Sequence, residues 1–264
     1  MRARLALVAG AWFVLHAAAA AEPTLAGKNI CRQSLPAIRT LWRQDLYDVP
    51  PSVAAVMVEA IDGNLPSVRQ GLAALPADEQ VHWRQLAMLT AAYAYQSSVV
   101  DGLLDDGAKV DGAARLPPLN SSFERQLENT MTQDPRMGSS AVKGLRAAGV
   151  MRNDGSLLGP ALIVAADCDD PATLDVLLRH HANVAVRTDP PRKPDIPQSS
   201  YALLVAVVQG YADIAQRLLD HGVNVCASDH SIHKPGATLA SIGQSRHLAD
   251  ALVKRLTCRA PAAH

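Results

Sequence analysis

His230 and His233, in the run Asp229-His230-Ser231-Ile232-His233, could offer a metal ion two imidazole nitrogens and a carboxylate. No third firm ligand is spaced nearby, and a solvated loop accounts for the same residues. His180 and His221 each close an apolar helical run, where the helix dipole favours a cation, so they need no chemical role. Asp105-Asp106 and Asp169-Asp170 fall at a helix end and a helix break, and solvated punctuation is the expectation for both pairs. The chain has four cysteines, Cys31, Cys168, Cys226 and Cys258, and none stands in a C-x-x-C, which argues against a redox pair or a cysteine-based zinc knuckle. The nucleophile elbow G-x-S-x-G, a phosphate-cradling glycine loop and a dinucleotide fingerprint are all missing. These residues predict a protein without catalytic activity, cofactor or metal site.

The elements that would position any such groups begin after a leader. Arg2 and Arg4 precede an apolar run from Leu5 to about Leu15, and Ala17 to Ala21 supplies small residues for cleavage before Glu22. Residues 1–21 therefore have the form of a secretory signal, and no later segment approaches a membrane span. Export places the chain in the periplasm or outside the cell, where four cysteines can pair in three ways. Twenty-five basic residues balance twenty-five acidic ones, and losing Arg2 and Arg4 leaves the chain about two units negative, so no basic field exists to hold nucleic acid. Aromatics make up only 4% of the chain, and a core of Ala, Leu and Val suits thin, closely stacked helices.

Three stretches align with one another: LAMLTAAYAYQSSVVDGLLDDGAKVDG from Leu86, PALIVAADCDDPATLDVLLRHHANVAV from Pro160, and YALLVAVVQGYADIAQRLLDHGVNVCA from Tyr201. Each predicts a short apolar helix, a polar break, and a second helix ending in Leu-Leu. Ala91-Ala92, Ala165-Ala166 and Ala206-Val207 match in the first helix. Leu103-Leu104, Leu177-Leu178 and Leu218-Leu219 match in the second, followed by Gly107-Ala108, His181-Ala182 and Gly222-Val223. Small residues permit close approach of neighbouring helices. Gly107 and Gly222 suit a left-handed helix end.

This pattern resembles the ankyrin repeat, a β-turn finger followed by two antiparallel helices with a period of about 33 residues. The resemblance implies an all-α ankyrin-repeat solenoid of about five helix-turn-helix repeats over residues 52–257, with a capping helix within residues 22–51 and a short tail at 258–264. Leu162 to Leu203 spans 41 residues, one period plus a long Pro-rich finger. Met88 to Leu162 spans 74, which predicts a degenerate repeat in SSFERQLENTMTQDPRMGSSAVKGLRAAGV. The family's Thr-Pro-Leu-His opening is absent, so each repeat is expected to be of modest stability.

Solenoids bind through extended concave surfaces. The resemblance implies a periplasmic protein-protein interaction module that grips one partner protein. Tyr95 and Tyr211 at helix breaks, Arg187, Arg192, Lys193 and Asp195 in the Pro-rich finger, and His230 and His233 are the candidate contacts, with edge packing the equal alternative for each tyrosine. Exported relatives of this kind support antioxidant enzymes or neutralise secreted effectors. A small-ligand or metal-handling envelope protein, using converging histidines, is the alternative. Repeat geometry also favours a Cys226–Cys258 disulfide, since equivalent levels of neighbouring repeats lie side by side. Cys31 and Cys168 could pair only if the N-terminal segment folds back over the helix turns.

Overall fold

The computed structural model describes residues 31, 35, 39, 42, 47–118, 157–158, 160–185, 201–226 and 237–258. Helix predominates among them. Ten helices have defined bounds, and they come in five pairs: α1 (Pro51–Asp62) with α2 (Leu65–Ala73), α3 (Ala77–Tyr93) with α4 (Ser97–Asp105), α5 (Ala161–Asp167) with α6 (Pro171–Arg179), α7 (Tyr201–Gln209) with α8 (Ala212–Asp220), and α9 (Leu239–Ser245) with α10 (Asp250–Arg255).

Local chemistry sets the ends of these helices. Proline occupies the first turn of α1, α2 and α6, where its missing N–H costs nothing. Asn64 and Asp170 cap α2 and α6 by accepting from the Ser67 and Thr173 N–H groups. Thr238 and Ser241 form a reciprocal capping box on α9. Every first helix ends in the same turn. Gly63, Tyr95, Asp169, Gly210 and His247 take positive φ, and the next residue's N–H returns to a carbonyl five positions back. These bonds run from Asn64 to Glu59 (2.9 Å), Gln96 to Ala91 (2.9 Å), Asp170 to Ala165 (2.9 Å), Tyr211 to Ala206 (2.8 Å) and Leu248 to Gly243 (3.0 Å). Only two of the five left-handed positions are glycine, so the shared bond defines the turn more than the residue type does. Gly107, His181 and Gly222 repeat the left-handed ending after α4, α6 and α8.

The pairs pack in chain order as two layers. α1, α3, α5, α7 and α9 contact one another in sequence, and so do α2, α4, α6, α8 and α10. Ala91, Ala165, Ala206 and Gly243 hold one equivalent position, four before the left-handed residue, and all are buried. A larger side chain there would push neighbouring first helices apart. Arg–Asp pairs tie successive members of the second layer together. Arg69 reaches Asp106 at 2.7 Å, Arg179 reaches Asp101 at 3.2 Å, Arg217 reaches Asp175, and Arg255 reaches Asp220 at 2.7 Å. All four are largely solvent-exposed, so they set alignment more than they add stability.

Two features differ from the expectations drawn from spacing. Residues 119–156, where a degenerate repeat was expected, lie outside the described residues. α3 nevertheless packs directly on α5 and α4 on α6, so no helix pair separates them. The chain leaves this region through β1 (Ala114–Arg115) and returns through β2 (Leu157–Leu158), which pair antiparallel with Ala114 opposite Leu158. Residue counting cannot distinguish an extra repeat from an insertion whose two ends meet. Asp170 is the second departure: it is 4% exposed rather than solvated, because capping α6 draws it inward. Its Oδ2 and the Thr173 Oγ1 are buried without hydrogen-bond partners.

The N-terminal segment folds back over the helix turns. Cys31, Leu35, Arg39 and Trp42 are helical and, at spacings of four, four and three, share one helical face. Cys31 is disulfide-bonded to Cys168, and Arg39 pairs with Asp62 at 2.5 Å. Asp62 and Cys168 each directly precede the left-handed residue of their own pair, the first and the third. Ala94 holds that place in the second pair and is 2% exposed. The segment thus crosses the turns of three pairs in succession. It ends on Trp42 against Tyr47, ring centroids 4.4 Å apart, and the Asp48 N–H donates to the Pro118 carbonyl at 2.9 Å. Burial pushes the Tyr47 phenol up to about 12. At the other end of the chain Cys226 is bonded to Cys258, with Cα atoms 4.7 Å apart.

Candidate functional site

The first-layer helices differ sharply in how their outward faces are treated. In α3, every residue from Gln85 to Ala92 is buried, so this part of the helix is enclosed on all sides. Its two polar members are accommodated individually. The Gln85 amide nitrogen donates to the Lys109 and Gly112 carbonyls at 3.0 and 3.1 Å, and its oxygen accepts from the Lys109 N–H at 2.8 Å. The Thr90 hydroxyl approaches the Met57 sulfur at 3.8 Å. In α7 the sequence YALLVAVVQ is apolar on every face, yet Tyr201 is 41% exposed and Val205 and Val208 are partly exposed. These three stand at i, i+4 and i+7, one stripe of the helix. Leu204 packs on the core from the same helix, whereas among the described residues Val205 and Val208 do not. α9 presents the polar residues Ser241, Gln244 and Ser245 to solvent instead.

Both tyrosines singled out from the sequence lie at the turns between helices. Tyr95 is partly buried, and its hydroxyl donates to the Cys168 carbonyl of the next pair at 2.6 Å. Tyr211 is partly buried and packs on the core. Its phenol is pushed upward first by burial and then by the negative charges of Asp169 and Asp167. Asp167 is exposed, yet the protein packed around it removes enough water from its carboxyl to raise it as well. Sequence reading passed over Asp167, Val205 and Val208. The available signal was α7 itself, since a helix apolar on all faces is normally covered on all faces.

Arg187, Arg192, Lys193, Asp195, His230 and His233 lie outside the described residues. Among the described residues no group of three or more His, Cys, Asp and Glu side chains could hold a metal ion, and no helix is long and apolar enough to cross a membrane. His180 instead pairs with Asp101 of the preceding helix pair, Nε2 to Oδ1 at 2.7 Å. Asn183 donates its N–H to Asp111 of that pair at 2.9 Å. The α7 stripe is thus an apolar helical surface, with the Tyr211 ring beyond its end under the charges of Asp167 and Asp169. No protein-family model and no curated protein matches the chain.

Proposed function

We propose that this chain is an exported, non-catalytic protein-binding module, built as an ankyrin-like solenoid that grips one partner protein through the concave face formed by its first helices. The observation that carries this reading is the recurrence of one turn, with its left-handed residue and five-back hydrogen bond, at the end of α1, α3, α5, α7 and α9. A repeated turn between helix pairs that pack in chain order is the construction by which solenoids generate an extended binding surface. The two disulfides favour an oxidising compartment, in keeping with the signal-like residues 1–21. Support of an antioxidant enzyme and neutralisation of a secreted effector are the two roles that the resemblance offers for such a module.

The test is expression with the chain's own leader in a Gram-negative host, followed by envelope fractionation and in-cell crosslinking. The expected result is a processed protein in the envelope fraction that enriches one protein at near-stoichiometric yield. Retention of the leader in the cytoplasm removes the export reading. Absence of any stoichiometric partner removes the binding reading.

A further inference from the structure

A helix that is apolar all round is stable in water only when all of its faces are covered. α3 is covered in this way only from Gln85 to Ala92, whereas in α7 Tyr201, Val205 and Val208 remain partly exposed. We propose that the Tyr201–Val205–Val208 stripe of α7, flanked by Tyr211, Asp167 and Asp169, is the docking site for a single amphipathic helix of a partner protein, one whose apolar stripe is bordered by Lys or Arg. This rests on the protein-binding reading above and narrows it to a surface and a ligand class.

Two observations select a helix with basic flanks. The first is continuity with an interface that the molecule already contains. Its N-terminal helical segment lies across the turns of pairs one to three, touching Asp62 through Arg39 and Cys168 through Cys31. The next equivalent positions along that row are Gln209 of α7 and Arg246 beyond α9, so a second helix laid end to end with the first meets α7. An apolar stripe on a helix fitting a groove of packed helices is a general recognition mode. The second observation is charge. Asp167 forms no ion pair among the described residues, its carboxyl is partly desolvated, and with Asp169 its charge reaches the phenol of Tyr211, two residues beyond α7. A Lys or Arg from the partner would supply the missing countercharge and lie near an aromatic ring that attracts cations. Arg246, beside Gly210, makes the α9 side less acidic, so the cation belongs toward α5.

The experiment uses the full exported protein with both disulfides formed and three fluorescent 18-residue peptides. One has a Leu stripe at helical spacing with Lys on both flanks, one replaces those Lys with Glu, and one scrambles the Lys peptide. Fluorescence anisotropy is expected to show saturable binding of the Lys peptide and at least tenfold weaker binding of the other two. Val208→Glu should weaken the Lys peptide at least tenfold, and Asp167→Asn severalfold, with unchanged helical dichroism and no loss of melting temperature in either variant. Equal binding of the scrambled peptide, indifference to Val208→Glu, or lack of binding overturns the proposal. So does sedimentation showing a dimer that Val208→Glu abolishes, because the stripe would then belong to a second copy. Protection of Val208 by the chain's own residues before Cys31, read by hydrogen exchange on their removal, also overturns it. An in-cell partner whose capture ignores Val208→Glu would leave the binding-module reading intact and remove this one, whereas failure of both capture and peptide binding removes both.

Discussion

α3 and α7 occupy equivalent places in the first layer, and their sequences point the opposite way from their environments. α3 carries Asp78, Glu79, Gln80, Arg84, Gln85 and Thr90 and yet is enclosed from Gln85 to Ala92. α7 contains no charged residue and keeps a partly open stripe. Part of the difference lies in the chain that follows α4, where β1 packs on α3 and the Lys109 and Gly112 carbonyls hold Gln85. Of the N-terminal residues, Arg39 pairs with Asp62 of the first pair and Cys31 is bonded to Cys168 of the third, one pair short of α7. Burial of a repeat helix therefore depends on what lies over the array as well as on its own pattern.

Breaking the cover should give the largest effect. The Cys31–Cys168 bond joins residues 137 apart, and the chain-entropy relation assigns such a loop about 5 kcal/mol of stability, against about 4 kcal/mol for the 32-residue separation of Cys226–Cys258. The double variant Cys31→Ala/Cys168→Ala is expected to lower the denaturant midpoint further than Cys226→Ala/Cys258→Ala. Native-state hydrogen exchange should then open α3 in the first variant and only the last helix pair in the second. Equal protection of α3 in both variants would show that its burial does not need the N-terminal segment.

Truncations compare the two helices directly. Leu89 of α3 is fully buried, and Leu89→Ala should cost about 2 to 5 kcal/mol through lost transfer energy and a residual cavity. Val205 of α7 is partly exposed and unpacked from the core, so Val205→Ala should cost less than about 1 kcal/mol in urea denaturation of the isolated protein. A loss at Val205 as large as at Leu89 would mean that the α7 stripe is already covered within the chain.

Tyr47 reports on the same cover through pH. Its phenol rises from about 10 in the unfolded chain to about 12 in the fold, because burial disfavours the phenolate. A folded value above the unfolded one means stability that is complete below pH 10 and is lost as pH rises toward 12. The loss should total about 2 to 3 kcal/mol over that window. Unfolding free energies measured from pH 9 to 12 should show this decline, and Tyr47→Phe should flatten it.

The helix pairs were legible in the sequence because Leu-Leu, Ala-Ala and the glycines at 107 and 222 are local signals, fixed by packing within and between adjacent pairs. The left-handed endings at Tyr95, Asp169 and His247 were less visible, since none of these residues announces positive φ as glycine does. The direct packing of α3 on α5 could not be counted out of a 74-residue spacing, because the antiparallel pairing of β1 with β2 is non-local. The place of the N-terminal segment was hidden for a similar reason. Cys31 offered a thiol with several possible partners, and the choice of Cys168 depends on where the array puts its turns. At the candidate site, Tyr211 was recognisable from its place at a helix break, whereas Asp167 resembled ordinary helix-end punctuation.

Asp167 provides the smallest effect and the closest test of the boundary between the covered and open halves, since it ends α5 beside Cys168 and its charge reaches Tyr211 in the fourth pair. Although the side chain is exposed, loss of water around its carboxyl raises it above the ordinary value, so the native state favours the protonated form. The stability that this contributes is present below the unfolded pKa and is lost as pH rises through the raised folded one, leaving the ionised group unfavourable in the fold at neutral pH. Asp167→Asn removes that charge with little change in shape. The melting temperature of the variant should exceed that of the parent slightly at pH 7 and match it near pH 3, where both side chains are neutral. A carboxylate kept at a cost to the free protein is the pattern expected where a group serves binding more than folding. If the same substitution also weakens the Lys-flanked helical peptide, the stability gain and the affinity loss come from one charge. A variant that is less stable at pH 7 would instead mean that Asp167 already has a cation within the fold.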